Sequence, residues 1–500
     1  MIDVCVYGGT AAGCVAAITA HQEGASVVLI EPGRWLGGML SAGIKPAQDA
    51  PIRTAAGGLT RDAIFTFGDN PYDVLQAFRG WIAAAGIEVV LERRVRSVTR
   101  SGNRITAIQL ETSQPDEWGV PLPASESVAD RFVEASVFID ASYEGDLMAL
   151  AGVPYRTGRE SQEAFGEDLA GVRPVTNWAP IDPYDSTGRL LPLVEEDHGL
   201  PVGAADDYTQ AYNYRFYVTT DPAHRAELTP PADYSPADYE LVRRYLSHAS
   251  DLHDIFPGWL NSGEYNYQRD SLVTNAPLGL SREYQEGSWD CRSRIWRQHL
   301  DYLRGLHYFL STDPDVPEAF RAETAAYGLD ASAFPETGGW PPQLYVRAAR
   351  RLVGDYTITQ ADVANQAVVT DSIGLALFGV DIYPVRRIAC RNDSGQLGVA
   401  TEGDMFIGGH LGTGQPYPVP YRAITPQQND CGNLLVPVCL SATHIGYAAT
   451  RMEPVFCVLA ESAAVAAVQA LRGQTDVQDV NVEKLQARLL ERGQVLSWAD

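Results

Sequence analysis

What the chain has little of is positive charge. Its 38 Lys and Arg stand against 63 Asp and Glu, a formal charge of −25, whereas a surface that tracks phosphates needs clustered cations to displace counterions. Nucleic acid and anionic membrane are therefore not expected partners. There is also no run approaching the roughly 18 apolar residues that span a bilayer, and no basic, cleavable leader ahead of the strand-like IDVCVY at 2–7. No membrane insertion and a cytoplasmic location are expected. The seven cysteines (Cys5, Cys14, Cys291, Cys390, Cys431, Cys439, Cys457) never fall in C-x-x-C spacing. That argues against a dithiol centre and a disulfide framework, and leaves most of them as small buried apolar residues. G-x-S-x-G is missing, so no hydrolase nucleophile elbow is expected. His248 and His253 are five apart, which misses the i, i+4 geometry for sharing a metal on a helix, and no carboxylate cluster completes a site. No metal is expected.

What is present is a soluble, globular composition, 45% hydrophobic and 20% charged over 500 residues, long enough for two to four domains of ordinary size. The first 31 residues read strand, tight turn, helix, strand: IDVCVY, then AAGCVAAITAHQEG ending at Gly24, then SVVLIE. The turn lies in VCVYGGTAAG, which spells the dinucleotide fingerprint G-x-G-x-x-G except for a threonine at its middle glycine. Counting from Gly8, the fingerprint positions are Gly8, Thr10 and Gly13, and Glu31 follows 18 residues after Gly13, close to the roughly 20 expected of a ribose-binding acid. Counting from Gly9 would put Cys14 where a small residue is needed for helix-to-strand packing. The Gly8 register is the better one, and it keeps Thr10 near a pyrophosphate only if its φ is negative. A βαβ unit without cofactor is the competing reading. Glu31 favours a free ribose diol, hence FAD or NAD over NADP. The following GRWLGGMLSAGI carries Gly37 and Gly38, a second backbone approach that plain NAD-binding domains do not need.

From 87 to 140 short β-rich runs, with Ser101-Gly102-Asn103 as a hairpin turn, read as a β-meander and a buried strand. Between about 155 and 380 the chain turns to Pro, Tyr, Trp, Asp and long polar helices, an inserted cap or substrate domain. The β-rich character then returns, and NLLVPV leads into RMEPVFCVLAESAAVAAVQALRG, with Pro454 suited to a first helical turn and an Ala/Val interior that implies a buried helix.

VYGGTAAGCVAA, GRWLGGMLSAGI, FIDASYEGDLMALAGVPYRTGRES, GWPPQLYVRAARRLVGDY and NLLVPVCLSATHIGYAATRMEPVFCVLAESAA occur in this order over nearly the whole chain. Together they resemble the bacterial FAD-dependent oxidoreductases of glutathione-reductase-like flavin fold, distantly related to succinate dehydrogenase and fumarate reductase flavoproteins. The resemblance implies an α/β fold: a Rossmann-like FAD-binding domain with a β-meander and an inserted, largely helical cap. The FAD domain would comprise 1–155 and 381–500, and the cap 156–380. It also implies FAD contacts: Gly8, Thr10, Ala11, Ala12 and Gly13 along the diphosphate, Glu31 on the adenosine ribose, and Arg34, Gly37, Gly38 and Met39 on the diphosphate and ribityl side. Val95 would pair its backbone with adenine, and Ala141 would form the second crossing beside the diphosphate.

Chemistry at a flavin needs orientation, a base and charge stabilisation. The N-terminus of the buried helix, at Glu453 and Pro454, offers free N–H groups to the reduced flavin. His444 and Arg451 are seven apart, two turns on one helix face, and are the expected catalytic pair: His444 to take or relay a proton, Arg451 to orient a polar group. The competing reading pairs Arg451 with Glu453 or Glu461 and leaves His444 an interior histidine; Tyr447 reads as packing. Tyr345 and Arg347 are candidate substrate contacts, Arg347 and Arg351 forming an i, i+4 clamp unless local acids such as Asp355 pair with them. His299, Tyr302 and Leu306 mark a core helix face, and Trp259, Trp289, Trp296 and Trp340 are candidates to line a pocket. The expected activity is hydride transfer from a small polar substrate (alcohol, glycoside or amine) to flavin N5, with an unidentified electron acceptor. Reduction of an activated double bond and a noncatalytic flavin-bound interaction protein are the alternatives.

Overall fold

The computed structural model describes residues 2–249, 255, 260–261, 264–265, 271–411 and 414–498. The N-terminal elements are β1 (Ile2–Tyr7), α1 (Ala11–Gln22), β2 (Val27–Glu31), α2 (Gly58–Asp62), α3 (Pro71–Ala84), β3 (Glu88–Leu91), β4 (Arg93–Ser101), β5 (Arg104–Thr112) and β6 (Ala129–Asp140). They form one mixed sheet in the order β3-β2-β1-β6-β5-β4. β1, β2 and β3 run parallel, and β1 pairs with the second half of β6, Ala135 to Asp140. The first half of β6 pairs antiparallel with β5, and β5 with β4. β6 therefore belongs to both the parallel sheet and the meander, which accounts for its exposed first residues and wholly buried end.

The C-terminal segment returns to this sheet. The strand Leu434–Leu435 pairs with β6 through Phe138 and Ile139, and the helix Glu453–Gly473 packs on α1. Both helices are rich in Ala, so their axes approach closely without side chains holding them apart. Contrary to the expectation of no sufficiently apolar run, Glu453–Gly473 is long and apolar enough to cross a membrane; 89% of its apolar window is buried inside the protein. Its all-round Ala/Val surface is used up by core contacts.

The expectation of a largely helical cap needs correction. Between 156 and 380 the longer helices are Trp289–Thr312 and Glu318–Ala326, and most of the other described residues are turns, loops and short strands. The density of Pro, Gly and Asp in this stretch interrupts helices and favours turns. A four-stranded sheet pairs Val175–Ala179 and Glu195–Glu196 with Leu397–Glu402 and Arg386–Arg391, so one sheet draws on both sides of residue 380. Trp289–Thr312 starts at Ser288, whose hydroxyl accepts the Cys291 N–H, and buries Trp296, His299, Leu303, Leu306 and Leu310 at helical spacing. His299 is core, its ring 6.4 Å from that of Tyr212 in a stacked pair.

Lys45 and Lys484 are the only lysines among the 38 basic residues. The buried cations are thus arginines, whose planar fork matches carboxylates. Asp146 accepts from Arg292 at 2.8 Å and Arg350 at 2.7 Å, joining the segment after β6 to the inserted region. Glu402 likewise gathers Arg159 and Arg386 at 2.8 and 3.1 Å.

Candidate functional site

The site begins where β1 ends. Gly8 has φ +97°, and a side chain there would meet the Ser142 N at 2.7 Å and the Ala141 carbonyl carbon at 2.8 Å. Thr10 has φ −60° and caps α1: its hydroxyl accepts the Gly13 N–H at 3.1 Å and donates to the Ala141 carbonyl at 2.8 Å. A Cβ on Gly13 would lie 1.8 Å from the Gly8 carbonyl oxygen. Gly8 makes the turn, Gly13 permits close packing, and Thr10 ties the loop to the segment that follows β6. The first intrahelical bond runs from Cys14 N–H to the Thr10 carbonyl, so the N–H groups of Ala11 and Ala12 precede it at the positive end of the helix.

The second glycine pair lies on the first loop. Gly37 donates its N–H to the Gly9 carbonyl at 2.8 Å and has φ +96°, and a Cβ there would enter the Phe78 ring at 2.4 Å. A Cβ on Gly38 would meet the Tyr143 hydroxyl at 2.3 Å and the Thr10 Cα at 3.1 Å.

These turns bound a cavity beyond the carboxyl ends of β1, β2 and β6, where open α/β sheets bind ligands. Gly8, Thr10, Glu31, Gly38, Tyr143 and Glu144 line it from the sheet side, and Trp289, Trp296, Pro342 and Gln343 from the inserted segment. The Glu31 carboxylate accepts the N–H groups of Gly9 and Gly33, each at 2.6 Å. Glu144 accepts the Tyr284 hydroxyl at 2.9 Å, which itself accepts from the Trp296 indole at 3.0 Å. Tyr143 donates to Glu453 Oε1 at 2.6 Å and accepts the Met39 N–H at 2.9 Å.

Burial is the main cause that pushes Glu31 and Glu144 up to about 7 and Glu453 to about 8. Each is raised above the ordinary carboxylate value, so the folded chain binds more protons than the unfolded one, and their contribution to stability is lost as pH rises through 7 to 8. The thermal midpoint of the flavin-free protein is expected to fall by several degrees between pH 6 and 9, measured by differential scanning calorimetry. Glu453→Gln should flatten the upper part of that fall.

The structure gives the other expected contact residues these partners. Arg34 forms an ion pair with Glu92 at 3.0 Å and donates to the Pro115 carbonyl at 2.9 Å; it lies outside the cavity lining because a carboxylate of the meander claims it. Val95 donates its N–H to the Tyr7 hydroxyl at 3.3 Å, while its neighbour Arg94 lines the cavity. Glu453 reaches the cavity only through Tyr143, and Pro454 is buried in the first turn behind it. Ala141 presents its carbonyl to Thr10 and donates its N–H to the Tyr7 carbonyl at 2.7 Å.

The helix His444–Thr450 is two turns long, and Arg451 follows its last residue, so His444 and Arg451 stand at opposite ends. His444 donates its backbone N–H to Glu160 at 2.8 Å, and its Nε2 has no partner among the described residues. Burial first, then the charges of Arg351, Arg159 and Arg451, hold the imidazole well below its ordinary value. It is neutral, and those cations oppose the proton that the expected base would accept. Arg451 donates to the Tyr345 hydroxyl at 3.1 Å and the Asp381 carbonyl at 2.8 Å, with the Asp381 carboxylate at 3.3 Å. Its acid is therefore Asp381; Glu453 bonds Tyr143, and Glu461 accepts from Leu59 N–H, Arg492 and Gln494. Tyr447 donates to the Val438 carbonyl at 3.2 Å inside the core.

The i, i+4 clamp of Arg347 and Arg351 does not form, because 341–350 carries no helix and Arg351–Leu352 is a strand. Arg347 donates to the Ala211 carbonyl and Asn213 at 2.7 and 2.9 Å and lies against the rings of Tyr345 and Tyr383. Arg351 turns to Glu160 at 2.7 Å. Trp340 sits in an aromatic core with Tyr214 and Phe216, ring centres 4.9 and 5.0 Å away. Trp259 and His253 lie outside the described residues. Among the described residues, no group of three His, Cys, Asp or Glu is placed to hold a metal.

Residue reading missed Tyr143, Glu144, Pro342 and Gln343. Tyr143 and Glu144 stand within FIDASYEGD, two and three residues after Ala141, and Pro342 and Gln343 three and two residues before Tyr345. The available signal was adjacency to residues already singled out.

A ligand with a diphosphate and a ribose fits this cradle. The turns at Gly8 and Gly38 have no room for a side chain, so only backbone lines the cradle there, the start of α1 offers N–H groups, and a carboxylate ends β2. No curated protein matches the chain. Among solved structures, the chain resembles THI4 of Thermovibrio ammonificans (17% identity, 32% of this chain and 66% of that one, TM-score 0.24). It also resembles L-proline dehydrogenase from P. horikoshii (14%, 32% and 58%, TM-score 0.22) and p-nitrophenol 4-monooxygenase PnpA from Pseudomonas putida DLL-E4 (11%, 32% and 46%, TM-score 0.21). The chain thus spans less than two thirds of the length of each. A family model described as FAD dependent oxidoreductase matches residues 3–489, and with that match over nearly its whole length the chain belongs to the FAD dependent oxidoreductase family.

Proposed function

We propose that this flavoenzyme oxidises a small polar organic molecule, an alcohol, glycoside or amine, at a site between the cavity and Arg451. One observation carries the reading: two short links join the cavity wall to this buried cation. In the first, Gln343 lines the cavity and Tyr345, two residues on in a non-helical stretch, accepts from Arg451. In the second, Tyr143 lines the cavity and bonds Glu453, two residues after Arg451. FAD, when bound, supplies the two-electron acceptor.

The chain's own residues provide hold and orientation. Gly8, Thr10, Gly13 and Gly38 shape the seat of the diphosphate, and Glu31 stands at the ribose end. Arg451 is fixed by the Asp381 carbonyl and the Tyr345 hydroxyl, while its Nε has no partner among the described residues. We assign that buried donor to a substrate oxygen or nitrogen. Trp289, Trp296 and Pro342 cover the outer side of the cavity with apolar surface and keep water from the bound cofactor.

The test is anaerobic bleaching of the flavin absorbance against sugars, glycosides, amines, hydroxy acids and aromatic alcohols, followed by the mass of the product. A substrate of these classes should bleach the flavin and lose two hydrogens. Bleaching by a reduced nicotinamide dinucleotide alone, with an alkene then reoxidising the flavin, would overturn the reading in favour of double-bond reduction.

A further inference from the structure

We propose that Glu453 sets the direction of the Tyr143 hydroxyl hydrogen, and thereby decides whether the cavity wall offers the bound FAD a donor or only an acceptor. The inference rests on FAD occupying the cavity and goes beyond it by assigning two residues, Tyr143 and Glu453, a coupled role.

Tyr143 is 6% exposed and forms part of the cavity wall, its hydroxyl against Gly38. A tyrosine oxygen has one hydrogen and two lone pairs. The Met39 N–H at 2.9 Å occupies one lone pair. Glu453 Oε1, at 2.6 Å, takes a second position, which leaves the third for a group in the cavity that Tyr143 and Gly38 line. With Glu453 ionised, the carboxylate can only accept, so the tyrosine hydrogen points to it and a bare lone pair faces the cavity. With Glu453 protonated on Oε1, where the hydrogen meets the tyrosine oxygen and not the partnerless side of Oε2, its own O–H donates to that oxygen. Both lone pairs are then filled, and the tyrosine hydrogen turns to the cavity. The exchange adds one proton to Glu453 and moves none from Tyr143, whose burial keeps its hydroxyl protonated well above the ordinary range.

Glu453 is suited to this role. It is 3% exposed and its Oε2 has no partner among the described residues. The titratable groups facing it are Tyr143 from the segment after β6, Asp49 from the loop after the second glycine pair, and Cys457 one turn along its own helix, with Cys14 of α1 behind Cys457. Burial raises Glu453 to about 8, and the Asp49 charge adds to the rise against the Tyr143 bond. At neutral pH the acid form prevails and Tyr143 donates toward a diphosphate-bearing anion. As pH rises through 8, the donor is withdrawn and a negative charge develops behind it.

The experiment is the release of FAD from the holoprotein, followed by recovery of free flavin fluorescence on dilution between pH 6.5 and 9.5. Glu31 and Glu144 face the same cavity and contribute a background common to all variants. Against that background, wild-type release should accelerate about tenfold between pH 7 and 9, the worth of one hydrogen bond to a charged group. Glu453→Gln cannot ionise and still donates through its amide, so release should stay slow at pH 9. Tyr143→Phe has no hydrogen to turn, so release should be fast at pH 7 and show only the background. Acceleration in Glu453→Gln equal to wild type, or wild-type release at pH 7 by Tyr143→Phe, would overturn the proposal. A protein that neither purifies with flavin nor takes it up would overturn both the proposal and the assignment of the cavity.

Discussion

Gly13→Ala is expected to yield a colourless protein, destabilised by about 3 kcal/mol. The added Cβ would lie 1.8 Å from the Gly8 carbonyl oxygen, a backbone atom. Gly8 has no room to retreat, because Ser142 N and Ala141 stand 2.7 and 2.8 Å from its own Cβ position. Relief requires α1 to lift from β1. That breaks the Thr10 bonds to Gly13 and Ala141 and moves the Ala11 and Ala12 N–H groups off the diphosphate seat. Urea unfolding and the flavin-to-protein absorbance ratio measure the two effects. Gly102→Ala is the control: Gly102 has φ +61° in the β4–β5 hairpin with nothing within 4 Å of its Cβ position, so only backbone strain of about 1–2 kcal/mol is expected, with flavin retained. Full flavin content in Gly13→Ala would mean that the fingerprint starts at Gly9.

Arg451→Ala is expected to lower kcat/KM at least about 100-fold, equivalent to roughly 3 kcal/mol of transition-state stabilisation. It should also cost about 3–5 kcal/mol of stability, since Asp381 loses the cation that faces it. Arg451→Lys separates the two effects. A lysine can still answer the Asp381 carboxylate and carbonyl, but it has no Nε–H fork to hold a substrate and a tyrosine together. Its stability should stay near wild type while kcat/KM falls about tenfold or more, measured per bound flavin. Wild-type kcat/KM in Arg451→Lys would assign Arg451 to the fold alone.

How much of the site was legible depended on how local each feature is. The strand, turn and helix around Gly8 and Gly13 follow from residues within one βαβ unit, and the negative φ of Thr10 is what an N-cap adopts. The meander was readable from its hairpin at Gly102, and the burial of Glu453–Gly473 from its Ala/Val interior. The inserted region was harder. Its long helix at Trp289–Thr312 was visible in the polar-apolar spacing, but strands of two residues such as Glu195–Glu196 have too few positions to show a period. The charged residues were the least legible. Arg34 and Arg347 matched a ligand-binding pattern, yet Glu92, Ala211 and Asn213 claim their donors, and nothing in a local window reveals which acceptor lies nearest.

By itself, the sequence determined a dinucleotide cradle at the ends of parallel strands, because sterics at two glycines and the alternation of apolar runs act over a few residues. Only the tertiary structure decided what stands around that cradle. Tyr143 and Glu453 are 310 residues apart, Glu144 and Tyr284 140, and Arg451 and Tyr345 106. Those pairs exist because the C-terminal segment returns to β6 and the inserted segment folds over the strand ends. Their burial, which raises Glu453 to about 8 and keeps His444 neutral, comes from the packing of distant elements and leaves no local pattern in the chain.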